Sequence, residues 1–332
     1  MPPIQRLLAL GITLLAAVVV LLGAYTRLTG SGLGCPDWPG CYGQLSVPVG
    51  LPEASKAWTE MIHRYAAGSL VLLVTLQAGL SWRRHGWRQP AALALLALVS
   101  LQALLGMWTV TFKVWPQVVT LHLLGGLGTL CLAYLHWRRL ARGTRLAPGT
   151  AGPRRLARLG LLAFALQVAL GGWTSTNHAG AVCPALPGCG SVSWQALDFS
   201  EGLQVAQPVG PSYLAGSLSL NARAALHMAH RLGALVLLGV LAVLAWRLYR
   251  RGLRRHASVL ALGGFGQALL GMASAVWATP LPLALAHTGG AALLALVLVE
   301  VNHRLTLAPR AASRGAALAR WQPRPLLLRN AP

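Results

Sequence analysis

Eight apolar stretches, near 7–25, 61–82, 91–111, 117–136, 156–176, 225–246, 257–277 and 283–303, set the terms on which this chain can fold. Each is close to the roughly 20 residues a helix needs to cross a ~30 Å hydrocarbon core. Backbone facing lipid finds no water, so a spanning segment must pair its own N–H and C=O groups, as a helix does. The expected fold class is an all-α membrane protein with eight transmembrane helices. A composition of 55% hydrophobic and 10% charged residues belongs to the same class.

An internal duplication orders those helices. Gln102-Ala-Leu-Leu-Gly-Met107 recurs unchanged as Gln267-Ala-Leu-Leu-Gly-Met272. Aligning Cys35-Pro-x-x-Pro-Gly-Cys41 with Cys183-Pro-x-x-Pro-Gly-Cys189 superposes Gly23 on Gly171 and Gly32 on Gly180 without a gap. Four spans per copy send both copies into the membrane in the same direction. The repeats are therefore expected to be parallel, related by a pseudo-two-fold axis along the membrane normal. The division reads as an N-terminal four-helix repeat over 1–145, a C-terminal one over 156–305, and a basic Pro/Arg-rich tail over 306–332. The first stretch has the look of a signal peptide, but Leu22 to Cys35 aligns with Leu170 to Cys183, so it is expected to be retained.

The net charge of +22 raises a nucleic-acid reading, which its distribution opposes. Arginines cluster after the even-numbered spans: Arg83, Arg84 and Arg88, then Arg138 to Arg158, then Arg247 to Arg255. The tail adds Arg310, Arg314, Arg320, Arg324 and Arg329. No aromatic residues are interleaved for base stacking. This is the positive-inside pattern, placing both termini in the cytoplasm and the cysteine loops outside. It suits a multi-pass protein of a prokaryotic inner membrane that meets lipid, including anionic lipid, and no nucleic acid.

Four histidines fall at repeat-equivalent positions, His63 and His122 in the first copy, His230 and His287 in the second. Each is expected roughly 3–9 Å below its helix start on the outer side. Two neutral imidazoles on facing helices suit the axial positions of a haem iron. A single histidine near a helix end is as readily an interfacial anchor; recurrence favours ligands. His85, His136, His256 and His303, near the opposite ends, read as surface residues. A di-iron site wants about four carboxylates, and only Glu60 and Glu300 of six acidic residues lie in or beside spans. Zinc wants closer, mixed ligands. Arg64 and Arg231 follow His63 and His230, and either pair with haem propionates or snorkel.

Four outer-loop cysteines allow three connectivities, of which the local pairs Cys35–Cys41 and Cys183–Cys189 are the simplest. They staple a loop or, for the first pair, take a redox part. Cys131 reads as a packing residue. Glu60 could accept a proton or stabilise developing positive charge, or serve as an N-terminal acid on its helix. Its counterpart is His227, as Ser175 is that of Arg27 and Leu186 that of Trp38, so the two halves are expected to be unequal.

Taken together, Arg27-Leu-Thr-Gly-Ser-Gly-Leu-Gly-Cys35, Trp38-Pro39, Glu60-x-x-His63-Arg64, Pro116 with His122, His227-Met-Ala-His230-Arg231 and Pro282 with His287 resemble the heme A synthase family from about 7 to 305. The resemblance implies an eight-helix enzyme that oxidises the C8 methyl of heme O to a formyl group in two steps, with water as oxygen source, giving heme A for terminal oxidases. It implies a haem b cofactor on His230 and His287, heme O flanked by His63 and His122, and Glu60 as the catalytic carboxylate. Cys35 and Cys41 match a cysteine pair of some members, linked to disulfide formation. His178 is an additional histidine, with an extra surface ligand as one reading. Heme O synthase and terminal oxidase assembly are the implied partners; the electron acceptor and oligomeric state stay open. Two other classes fit the histidines: a di-haem b cytochrome fed by quinol, and a non-catalytic haem carrier. Neither gives Glu60 a task.

Overall fold

A computed structural model describes residues 3–86, 90–142, 151–190 and 192–306. Arg88, Arg145, Pro148, Gly149, the tail arginines and the expected tail beyond 306 lie outside the described residues. The helices are α1 (Pro3–Leu28), α2 (Ala54–His85), α3 (Pro90–Thr111), α4 (Pro116–Arg142), α5 (Ala151–Thr176), the single turn α6 (Phe199–Gly202), α7 (Leu220–Arg250), α8 (Arg254–Val276) and α9 (Leu281–Thr306). All except α6 are long and apolar enough to cross a membrane, which gives the eight spans and the all-α membrane class. Leu7, Leu72, Leu166, Leu235, Leu262 and Leu293 remain largely exposed, as side chains facing lipid would.

The helix ends follow local chemistry. Proline opens α3 and α4 and stands second in α9, where its missing N–H costs nothing. Ser219 caps α7 by accepting the Ala222 N–H at 3.2 Å. At the other ends an N–H five residues on folds back to close the last turn. Ser31 bonds Thr26 O and Ala179 bonds Thr174 O, both at 2.9 Å; Val114 bonds Thr109 O at 2.7 Å and Thr279 bonds Ser274 O at 2.6 Å. Lys113 and Val114, like Ala278 and Thr279, adopt positive φ there. Those tight reversals bring α4 back along α3 and α9 back along α8.

Within the first half α1 packs on α2 and α4, and α3 packs on the same two, so α2 and α4 stand across a diagonal. In the second half α5 and α8 likewise separate α7 from α9. The halves meet through α1, α4, α5 and α9. One continuous core, including Ile12, Leu70, Leu95, Leu130, Phe164, Leu241, Leu260 and Leu298, fills the end of the bundle at which α1 begins and α9 ends. Cys131 is a free thiol packed against it.

Two sequence expectations need correction. α2 and α7 begin at Ala54 and Leu220, well before the apolar runs, because their first turns are polar or short-chained and escape a hydropathy reading. His63 and His230 consequently lie about 14 and 15 Å below their helix starts, and His122 and His287 about 9 Å. His136 and His303 are buried, not surface residues, at 3% and 5% exposure. His136 Nε2 meets the Gln77 amide at 2.9 Å, so a helix-end histidine has turned inward to a polar partner.

Candidate functional site

The four histidines sit in the cysteine-loop end of the bundle, away from the dry core, and each is half-buried. Each ring rests on a glycine of the neighbouring helix. A Cβ on Gly23 of α1 would stand 3.0 Å from His63 Cε1, and one on Gly171 of α5 2.9 Å from His230 Cε1. The corresponding distances are 3.5 Å from Gly106 of α3 to His122, and 2.9 Å from Gly271 of α8 to His287. Real Cβ atoms essentially never approach within 3.0 Å, so at Gly171 and Gly271 the missing side chain is what admits the imidazole; Gly23 stands at that limit, and at Gly106 a methyl would make an ordinary contact. His122 stands within electrostatic range of His63, and His230 within range of His287. Two imidazoles on diagonal helices, with glycines beside them and no carboxylate between, can hold a porphyrin iron from both faces.

The halves differ in how the rings are held. Gln167 Nε2 lies 3.1 Å from His230 Nδ1 and donates to the His230 carbonyl at 2.9 Å. Gln267 Nε2 lies 3.2 Å from His287 Nδ1 and donates to the His287 carbonyl at 2.9 Å. In the first half His63 Nδ1, His122 Nδ1 and both amide atoms of Gln102 are buried with no hydrogen-bond partner among the described residues.

Above the histidines, disulfides join Cys35 to Cys41 and Cys183 to Cys189, with S–S distances of 2.02 and 2.03 Å. The arginines after the first histidine of each pair fasten these loops. Arg64 donates to Asp37 O at 2.8 Å and to Gly40 O; Arg231 donates to Ala185 O and Gly188 O at 2.8 Å and to Cys183 O. Among the described residues, only the first half adds a carboxylate to this arrangement. Glu60, 4% exposed, accepts Arg64 Nη2 at 2.5 Å and the Cys35 N–H at 2.9 Å. Its counterpart His227 meets Ala179 O through Nδ1 at 2.9 Å.

Where the halves join on this side, Arg27 donates to Ser175 O at 2.6 Å and lies 3.3 Å from His178 Nε2. Burial and the Arg27 cation hold the His178 pKa below the usual histidine range. A shallow cleft here is lined by Arg27, Thr176 and Tyr213, and none of the four paired histidines reaches it. The segment between α6 and α7 reaches the first half: Trp115 and Gln117 both donate to Gln207 O at 3.1 Å.

The sequence model of a family described as "Cytochrome oxidase assembly protein" (COX15-CtaA) matches residues 6–299. The Heme A synthase of Shewanella oneidensis is 41% identical over 306 residues, covering 87% of this chain and 92% of that protein. The Heme A synthase of Sphingopyxis alaskensis is 29% identical over 343 residues, covering 89% and 90%. That of Bacillus mycoides is 41% identical over 116 residues, covering 33% and 36%. The chain belongs to the COX15-CtaA family.

The family match takes in the four paired histidines, Glu60 and all four loop cysteines. What sequence reasoning missed in this COX15-CtaA chain is the supporting layer. Gly106 and Gly271, with Gln102 and Gln267, belong to the repeated hexapeptide, and Gly23 and Gly171 came out of the cysteine alignment. In the sequence they read as register marks, Gly106 and Gly271 also as small-residue packing positions. That they recur because they flank a histidine is visible once helices are paired.

Proposed function

We propose that this chain is a heme A synthase, a membrane oxidoreductase that converts the C8 methyl of heme O to a formyl group. The observation that carries the reading is the inequality of the two histidine layers: both set two imidazoles on diagonal helices, and among the described residues only the first has a buried carboxylate beside it. Glu60 stands one turn from His63 on α2, on the same face. In this reading His63 and His122 bind heme O, and His230 and His287 hold haem b.

Haem b supplies one-electron transfer when bound. The rest falls to the chain. His63 and His122 fix the substrate iron, and with it the ring edge to be oxidised. Each oxidation of the methyl carbon passes two electrons to an external acceptor and releases two protons, while water supplies the formyl oxygen. Glu60 is placed to take those protons, with Arg64 and the Cys35 N–H fixing its two oxygens. The disulfide loops close the outer ends of α2 and α7 over the two layers. Arg64 and Arg231, proposed from sequence as propionate partners, have loop carbonyls as partners here; a propionate would share them. In this reading the positive-inside pattern of arginines supports a multi-pass protein of the prokaryotic cell (inner) membrane with both termini cytoplasmic, and heme O synthase and terminal oxidase assembly are its proposed partners.

The test is chromatography and mass spectrometry of haems from membranes that make heme O, with the wild-type chain or Glu60→Gln. Heme A, or its hydroxymethyl precursor, should appear with wild type and fall to background with E60Q, while haem b per chain stays constant. Heme O unchanged by wild type would leave the di-haem cytochrome or the carrier; full heme A formation by E60Q would remove Glu60 from the reaction.

A further inference from the structure

The chain contains its own control experiment, four versions of one histidine seat. In three of them a glutamine amide lies against the glycine three residues after the histidine. A Cβ on Gly233 would stand 2.3 Å from Gln167 Oε1, on Gly290 2.3 Å from Gln267 Oε1, and on Gly125 1.9 Å from Gln102 Nε2. The sequence His-x-x-Gly is thus half of a socket whose other half is the glutamine. The fourth seat has lost both halves together: the repeat puts Val19 where Gln167 stands and Ala66 where Gly233 stands.

Of the three sockets, the two in the second half engage their histidine at both Nδ1 and the carbonyl oxygen. The first-half socket bonds neither, and leaves its amide and the Nδ1 of His122 buried and unpaired. Unpaired buried polar groups cost free energy, so the first layer is unsatisfied as it stands, with four such atoms, whereas in the second only the Gln267 Oε1 among the histidine and socket atoms is left without a partner.

We infer that Gln167 and Gln267 are positioning residues that lock His230 and His287 for a resident haem, and that the first layer lacks this lock so that its haem can exchange. The inference rests on the proposed assignment of haem b to the second half. The amide suits the task because it carries both a donor and an acceptor. With the ring empty, the amide N–H₂ can donate to Nδ1. With the histidine Nε2 given to iron, Nδ1 carries the proton, and the amide turns its oxygen to accept it, giving up its bond to the histidine carbonyl. A carboxylate serves only the second state and a lysine only the first. Substrate and product must enter and leave one site, whereas a cofactor should stay; the lock is found where residence is wanted.

The experiment uses the full-length chain in detergent, with haem b per chain, ferric low-spin EPR and midpoint potential as readouts. Gln167→Leu and Gln267→Leu should each weaken haem b retention on the order of tenfold and move the EPR signal and potential. Gly233→Ala keeps the glutamine but displaces its amide, and should move both in the same direction. Gln102→Leu should leave the haem b signals at wild-type values. Monodisperse Q167L, Q267L and G233A with wild-type retention, EPR and potential would overturn the lock. His230→Ala and His63→Ala separate this from the underlying assignment: haem b lost only with H63A would sink the assignment itself, whatever the glutamine variants do.

Discussion

Glu60 accepts the backbone N–H of Cys35 at 2.9 Å, tying the carboxylate proposed for proton transfer to the first residue of a disulfide loop. Arg64 holds the other carboxylate oxygen and reaches the same loop through its carbonyls. The second half keeps the arginine and the loop and drops the carboxylate. The loop therefore has two tasks in the first half and one in the second.

That difference can be measured with Arg64→Lys and Arg231→Lys. A lysine is a single flexible point charge and cannot serve the carboxylate and several carbonyls at once, as the guanidinium fork does. Losing one charge-assisted bond is worth about 1.5–3 kcal/mol, so R64K should lower heme A yield about tenfold or more at equal haem b content. R231K should lower it less. Equal effects from both would separate Glu60 from its arginine.

The glycine seats give a graded series. Gly171→Ala and Gly271→Ala put a methyl 2.9 Å from a ring carbon, so something must move, at a cost of about 1–3 kcal/mol. Gly106→Ala puts it at 3.5 Å, an ordinary contact. Thermal unfolding should rank G171A and G271A below G106A, with haem b per chain falling only for the first two. A G106A loss as large as that of G271A would mean the seats are not what the distances say.

The spans, the duplication and the histidine pairs were legible because each is written as a run, a repeat or a residue type. Helix starts were not: Ala54 to Glu60 is helical although it is not apolar, and that shifted His63 by more than a turn. The inward turn of His136 toward Gln77 depends on which face α4 presents, and hydropathy does not record faces within an all-apolar segment. Two of the three socket glutamines, Gln102 and Gln267, were present as letters in a repeated hexapeptide, and Gln167 lay outside it. Their meaning needed the helix pairing, since Gln167 and His230 are brought together only when α5 packs on α7. Periodicity exposes what repeats along a chain, and chemistry across a bundle waits for the third dimension.

Asp37 makes the first disulfide loop sensitive to acid. Its carboxylate accepts the Gly43 N–H at 2.7 Å and the Tyr42 N–H at 2.6 Å, and these bonds hold its pKa below the usual carboxylate value. A depressed folded pKa means stability that is present above the unfolded value of about 3.9 and lost as pH falls through the folded one. Amide hydrogen exchange at Tyr42 and Gly43, corrected for intrinsic rates, should show protection near neutral pH that fades below about pH 4. Asp37→Asn should weaken the protection and remove its pH dependence. Unchanged protection in D37N would assign the loop's order to the disulfide and Arg64 alone.

At the opposite end the halves are joined by one carboxylate serving two cations. Arg138 of α4 reaches Glu300 of α9 through Nε at 2.8 Å and Nη2 at 2.5 Å, a two-pronged match of guanidinium to carboxylate. Arg304 adds a bond at 2.6 Å from the next turn of α9, and Tyr134 a longer one at 3.2 Å. Arg138 is the more buried of the two arginines, with side-chain exposure of 9% against 34%. Glu300→Gln would leave Arg138 beside another cation with no counter-charge, at a cost of about 2–3 kcal/mol. Arg304→Ala removes a half-exposed partner from a carboxylate that keeps its better one, at under about 1 kcal/mol. Unfolding in detergent should therefore separate the two variants, E300Q melting well below wild type and R304A close to it. Coincident melting curves would show that α4 and α9 are held by their apolar contacts, with the ion pair adding nothing to the joint.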